Sequence, residues 1–66
     1  MLRRRPPPEI VARVAEIVRV LGAADAARAL DLGRATVERL ARGDRVMRGS
    51  IAIAERSLGE IARGRR

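Results

Sequence analysis

The sequence contains no cysteine, no histidine, no lysine and no aromatic residue. Without Cys and His the chain has no disulfide bridges, no thiolate chemistry and none of the common structural zinc sites. It also lacks the Ser-His and Cys-His pairs that activate most protein nucleophiles. A chain of 66 residues has little material to enclose a substrate pocket. We therefore expect no enzymatic activity, no cofactor and no small-molecule substrate.

The lack of aromatic rings also bears on which nucleic acid the chain would bind. RNA-recognition sheets and single-strand channels stack bases on aromatic side chains. The chain instead has 15 basic residues, all of them arginine, against eight acidic residues, and a net charge of +7. Such an excess indicates a polyanionic partner, and the composition favours duplex DNA. The choice of arginine over lysine is a weaker signal, because a GC-rich genome produces it as well.

Long hydrophobic runs are absent too. The most apolar window, residues 10–21, contains three charged residues and is shorter than the roughly 20 residues that a membrane helix needs. The basic start of the chain leads into three prolines and not into the apolar core of a signal peptide. We expect a soluble protein without a membrane partner, located in the cytoplasm and associated with the nucleoid.

The pattern divides the chain into an arm, a helical domain and a tail. A proline run favours extended polyproline conformation, so residues 1–8, with Arg3, Arg4 and Arg5, are predicted to form a basic arm that projects from the body. The helical domain is predicted over residues 9–62. The basic tail, residues 63–66, is predicted to fray.

Helical spacing of apolar residues predicts an all-α fold, a compact bundle of four short helices, or five if Gly59 interrupts the last one. The first three helices are expected over residues 9–21, 23–30 and 34–42. Glycines follow the first and third helices, where a left-handed residue commonly ends a helix. Ser50 is expected to cap the start of the fourth helix.

The segment from residue 23 to 42 has the features of two short helices that cross at a tight turn. Such helices cross at about 90–120° when the residues at the crossing are small and the turn accepts a left-handed residue. Ala27 is predicted to lie at the crossing, and Asp31 to take the left-handed position, which Asp adopts more readily than most residues. The residues predicted to point into the core are Leu32, Val37 and Leu40.

At these residues the chain resembles the helix-turn-helix DNA-binding family, in particular the small phage-repressor and Cro-like regulators. The small and aliphatic residues match the family's pattern, and the run Gly33 to Val37 is similar to the opening of many recognition helices. The likeness covers about residues 10–59. The chain departs from the family at Ala23, where a polar residue commonly touches a phosphate, and that contact is not carried over. Other departures are Asp31 in place of glycine and Gly33 in place of a Ser or Thr cap.

The resemblance implies that the helix over residues 34–42 enters the major groove. The side chains on its outer face, expected to meet base edges, are those of Arg34, Ala35, Thr36, Glu38, Arg39 and Arg42. Arg34 and Arg39 suit bidentate contact with guanine, and Glu38 suits cytosine. A helical salt bridge between Glu38 and Arg42 is an equal alternative for those two residues.

Further residues are expected at the DNA backbone. Arg45 and Arg48 flank the loop after the third helix and are predicted to contact phosphates, as is Gly33 at the start of that helix. The arm, Arg3 to Arg5, is predicted either to enter an adjacent minor groove or to add diffuse attraction. The sequence favours neither.

The resemblance implies a sequence-specific transcriptional regulator, most simply a repressor of phage or mobile-element type. One motif of this size covers a single half-site, so a homodimer is expected. The apolar residues predicted to form its interface are Val46, Met47, Ile53 and Ile61. Two alternatives remain open: a DNA-packaging or recombination accessory protein with the same motif, and a helical protein-interaction module that does not bind DNA.

Overall fold

The computed structural model describes residues 2–64 and consists mainly of four helices. They are α1 (Pro8–Leu21), α2 (Ala23–Leu30), α3 (Arg34–Arg42) and α4 (Arg48–Ala62). Two short strands, β1 (Arg3–Arg4) and β2 (Val46–Met47), pair antiparallel. The all-α bundle of four helices that the sequence predicts is confirmed, with this small sheet added to it.

One core joins the four helices and β2. Its buried apolar residues are Ile10, Val14, Ala26, Leu30, Val37, Leu40, Val46, Ala54 and Leu58. Each helix contributes residues spaced three or four apart, so each presents a single apolar face to the others. None of the helices described over residues 2–64 combines the length and the apolarity that crossing a membrane requires.

The start and end of α1 follow from local chemistry. Pro8 occupies the first turn, where a missing N–H costs nothing, and Glu9 complements the positive end of the helix dipole. Gly22 follows at φ +86°, a conformation that favours glycine, and it alone separates α1 from α2. Leu21, the last residue of α1, lies at this abrupt turn and is 47% exposed.

The turn between α2 and α3 is formed by residues 31–33. Asp31 takes the left-handed conformation, with φ 59° and ψ 43°, which confirms its predicted role. The small residue buried on α2 is Ala26, which is fully inaccessible, and not Ala27, which packs at the edge of the core. The inward positions of α2 are one turn apart, at Ala26 and Leu30, so Ala27 is rotated away by one residue.

The observed start of α4 differs from the predicted one. The helix begins at Arg48, with Met47 in the extended N-cap position, so Ser50 lies in the first turn and does not cap it. The pairing of β2 with β1 fixes the extended conformation that leads into the helix. Gly59 does not interrupt α4, which runs unbroken to Ala62.

The arm does not project from the body as the proline run predicted. Arg3 pairs with Met47 and Arg4 with Val46 in the two-stranded sheet, and Pro6 is buried. An extended segment can pair with an unpartnered strand as well as project into solvent, and pairing here satisfies backbone groups of β2. The arm is therefore packed against the helical body.

Candidate nucleic-acid interface

The outer face of α3 is open to solvent. Val37 and Leu40 are fully buried, so the helix is held by one face and displays the other. The six side chains predicted to meet base edges are all exposed or half-buried: Arg34, Ala35, Thr36, Glu38, Arg39 and Arg42. All six side chains are therefore at least partly accessible to solvent.

Ion pairs organise part of that surface in a way the sequence did not predict. Arg34 Nε donates a hydrogen bond to Glu38 Oε2 at 3.3 Å. Arg42 Nε donates to Asp44 Oδ2 at 2.9 Å, so the alternative Glu38–Arg42 bridge does not form. Both pairs are solvent-exposed, and such pairs contribute about 0–1 kcal/mol to stability. They orient side chains more than they stabilise the fold.

Arg39 differs from these two arginines. It is exposed on α3, and within residues 2–64 no carboxylate lies close enough to form a salt bridge with it. Its five N–H donors are therefore available to an external acceptor. In Arg34 the Nε atom is engaged by Glu38, which leaves the two terminal amino groups of the guanidinium available.

The arm and the segment after α3 together form a second basic surface. Five arginines line one open groove of about 780 Å³: Arg3, Arg4, Arg5, Arg45 and Arg48. We call it the basic groove. Residues 6–8, Ile51, Ala52 and Glu55 complete its walls.

The sequence predicted phosphate contacts for Arg45 and Arg48, and either minor-groove entry or diffuse attraction for the arm, Arg3 to Arg5. It did not predict that these five arginines share a groove. The missing information was the pairing of β1 with β2, which joins residues more than 40 positions apart. The one signal that could have indicated it is the apolar pair Val46-Met47 inside an otherwise polar loop.

Comparison with protein-family models, with curated proteins and with solved structures finds no match. The candidate interface therefore rests on its own geometry and charge.

The other ion pairs lie on α1 and α2. On α1, Arg19 hydrogen-bonds Glu16, and this bond and the nearby positive charge lower the pKa of the Glu16 carboxyl. On α2, Arg28 Nη2 donates to Asp25 Oδ1 at 3.0 Å. Each of these two pairs joins neighbouring turns of its own helix. Among residues 2–64, no salt bridge involves an arginine of the basic groove.

The four residues predicted to form a dimer interface differ in their exposure to solvent. Val46 is 3% exposed and belongs to the core, because its strand faces the helices. Met47 and Ile61 are 40% and 39% exposed, and Ile53 is half-buried. Ile61 follows Met47 by 14 positions, which corresponds to about 21 Å along a helix.

Proposed function

We propose that this chain binds double-stranded DNA as a helix-turn-helix protein, with α3 in the major groove, and that it acts as a transcriptional regulator of the repressor type. The observation that carries the proposal is the outer face of α3, a helix whose inner face is held by the buried Val37 and Leu40. On that outer face Arg34 is partly engaged by Glu38, and Arg39 forms no salt bridge with any residue of the described range, 2–64.

The shape of the α2–α3 unit supports this function. An α-helix with its side chains is about 10–12 Å across, and the major groove is about 12 Å wide. A helix can enter that groove only if the neighbouring elements leave its outer face free. The three-residue turn with Asp31 in the left-handed conformation folds α2 onto the inner face of α3 and leaves the outer face free.

The side chains suggest a role for each position. Arg39 and the terminal amino groups of Arg34 suit the two acceptors of guanine. The Glu38 carboxylate is better placed to hold Arg34 in position than to accept from cytosine, because it already accepts from Arg34 Nε. The methyl groups of Ala35 and Thr36 suit the thymine methyl group.

The charge of +7 gives the proposal a quantitative test. Each neutralised phosphate adds about −0.9 to the slope of log K against log salt, so six contacts lower the affinity about a thousandfold between 50 and 200 mM salt. We expect this slope when a fluorescent duplex is titrated with the protein and binding is followed by anisotropy. The DNA flanking the protein's own gene is the natural specific duplex, and random duplex is its control. No duplex binding, or binding independent of salt, would contradict the proposal.

A further inference from the structure

We propose that the basic groove holds one sugar-phosphate strand of the duplex beside α3, and that the arm forms a fixed wall of this groove and does not probe the minor groove. This inference rests on the proposed function, because it places the groove on the same DNA that α3 contacts. It assigns the arm a role that the sequence left open.

The charge distribution in the groove indicates an anion with repeated negative charges. Among residues 2–64, five arginines line it, and Glu55 is the single carboxylate that does so. Within residues 2–64 none of the five takes part in a salt bridge. Holding five like charges together opposes folding of the arm onto the body. A phosphodiester strand relieves this repulsion, and each guanidinium can bind a phosphate with two parallel hydrogen bonds.

The backbone of the arm is held in place at the residues that carry these arginine side chains. Arg3 and Arg4 are paired with β2, and Pro6 behind them is buried. An arm that inserts into a minor groove has to leave the body and follow the DNA. The paired arm can extend only its side chains, which are long enough to reach phosphates at the surface.

The groove also lies at a suitable distance from α3. Arg45 follows Arg42, the last residue of α3, by three positions, so at most about 11 Å of extended chain separates them. The strands bordering a major groove are about 12 Å apart. The wall opposite the arm contains Ile51 and Ala52, whose side chains have no polar group with which to read a base. Contacts in the groove would therefore position the protein without selecting sequence.

The first test removes three groove charges in the full chain with the substitutions Arg3→Gln, Arg4→Gln and Arg48→Gln. All three side chains are exposed, so circular dichroism should show an unchanged helix content. The loss of three phosphate contacts reduces the magnitude of the salt slope by about 2.7. The factor by which affinity falls between 50 and 200 mM salt is then about fortyfold smaller for the variant than for the wild type. The ratio of affinities for two duplexes of different sequence should stay the same.

The matched control removes the same charge elsewhere, with Arg13→Gln, Arg56→Gln and Arg63→Gln, three exposed residues outside the groove. The salt slope of this control should differ from the wild-type slope by no more than about 0.9, the contribution of one phosphate contact. Equal slopes in the two triple variants would mean diffuse attraction and would overturn the proposal. Wild-type protein that binds no duplex at all would instead refute the proposed function, and this inference with it.

Two single substitutions test the sign of the effect. Glu55→Gln removes the carboxylate from the groove and should raise the affinity for duplex several-fold at 50 mM salt. Glu60→Gln removes an exposed carboxylate from the same helix outside the groove and should change the affinity much less. Equal effects of the two substitutions would show that only net charge matters and would contradict the proposal.

A direct measurement uses the unmodified chain. In a titration with a 12-base-pair duplex, the side-chain Nε–H resonances of Arg3, Arg4 and Arg48 should shift, while those of Arg13 and Arg56 stay in place. Saturating the minor groove of the DNA beforehand with a small minor-groove ligand should leave these shifts unchanged. If the shifts disappear, the arm enters the DNA minor groove. If the groove variant kept wild-type duplex binding but lost binding to anionic lipid vesicles or to an acidic peptide, the proposal would be wrong.

Discussion

Ser57 Oγ donates a hydrogen bond to the backbone carbonyl of Leu30 at 2.9 Å, and both residues are buried. Leu30 ends α2, where the last carbonyls of a helix have no partner in the helix itself. The bond therefore joins α4 to the residue that directly precedes the left-handed Asp31. A residue of α4 therefore helps to hold the turn that orients α3.

Replacing Ser57 by alanine should destabilise the fold. The substitution leaves the Leu30 carbonyl buried without its donor, which costs about 1–3 kcal/mol. Denaturant unfolding followed by far-UV circular dichroism measures this loss. Ser50→Ala is the matched control, because Ser50 lies on the same helix and is only half-buried, and it should lose less than about 0.5 kcal/mol. Equal losses in the two variants would show that the Ser57 bond contributes nothing specific.

A comparison of two neighbouring alanines tests the packing of α2. Ala26 is fully buried, so Ala26→Leu should cost about 1–3 kcal/mol through overpacking. Ala27 lies at the edge of the core, and Ala27→Leu should cost clearly less. Thermal melts of both variants, with the exposed Ala24→Leu as control, measure the difference. A larger loss at Ala27 would place the crossing where the sequence alone had placed it.

Elements that depend on neighbouring residues could be predicted from the sequence. The left-handed Asp31, the helix end at Gly43 and the inward Val37 follow from local conformational preference and helical period. The docked arm and the early start of α4 could not be predicted, because both depend on the pairing of β1 with β2, which are distant in the chain. The same pairing explains why Val46 belongs to the core and why the basic groove was not predicted.

Asp31 combines a structural role with an unfavourable charge for the proposed function. Asp31→Asn keeps a residue that accepts the left-handed conformation, so stability should change by less than about 0.5 kcal/mol. Removing the carboxylate beside the proposed DNA surface should raise duplex affinity several-fold at low salt. Asp31→Ala removes the same charge but should also cost about 1–2 kcal/mol of stability, because alanine adopts this conformation poorly. Unfolding curves and anisotropy titrations separate the two effects, and equal stability of the two variants would contradict the conformational argument.

The homodimer expected from the sequence can be tested at two positions at opposite ends of α4. Ile61 lines an apolar hollow with Ile17 and Leu21, whereas Met47 is on the strand that pairs with Arg3, beside the basic groove, where two copies would repel each other. Ile61→Glu should therefore yield monomers with unchanged helix content, and Met47→Glu should leave the dimer intact. Sedimentation at tens of micromolar protein measures both. If the wild type is monomeric in solution, a dimer can form only on DNA. If Met47→Glu alone dissociates the dimer, the interface lies at the two-stranded sheet.

The roles proposed for Arg34 and Arg39 differ from general phosphate contact in one measurable respect. A base contact, when lost, relaxes the choice of base at one position and lowers specific affinity by about 1–3 kcal/mol. Glu38→Gln should relax the choice of base at the same position of the DNA site as Arg34→Ala. The effect should be smaller, because Glu38→Gln removes only the group that orients Arg34. Uniform weakening on all sequences would make these residues phosphate contacts.

The placement of α3 in the major groove is tested most directly by selecting binding sites from a randomised duplex library. The selection is carried out in parallel with the wild type and with Arg39→Ala. We predict that the wild type enriches a short motif that contains guanine. We predict that Arg39→Ala, with an unchanged melting curve, enriches the same motif with one guanine position relaxed. A wild type that enriches no motif, or an Arg39→Ala variant that enriches the identical motif, would contradict this account.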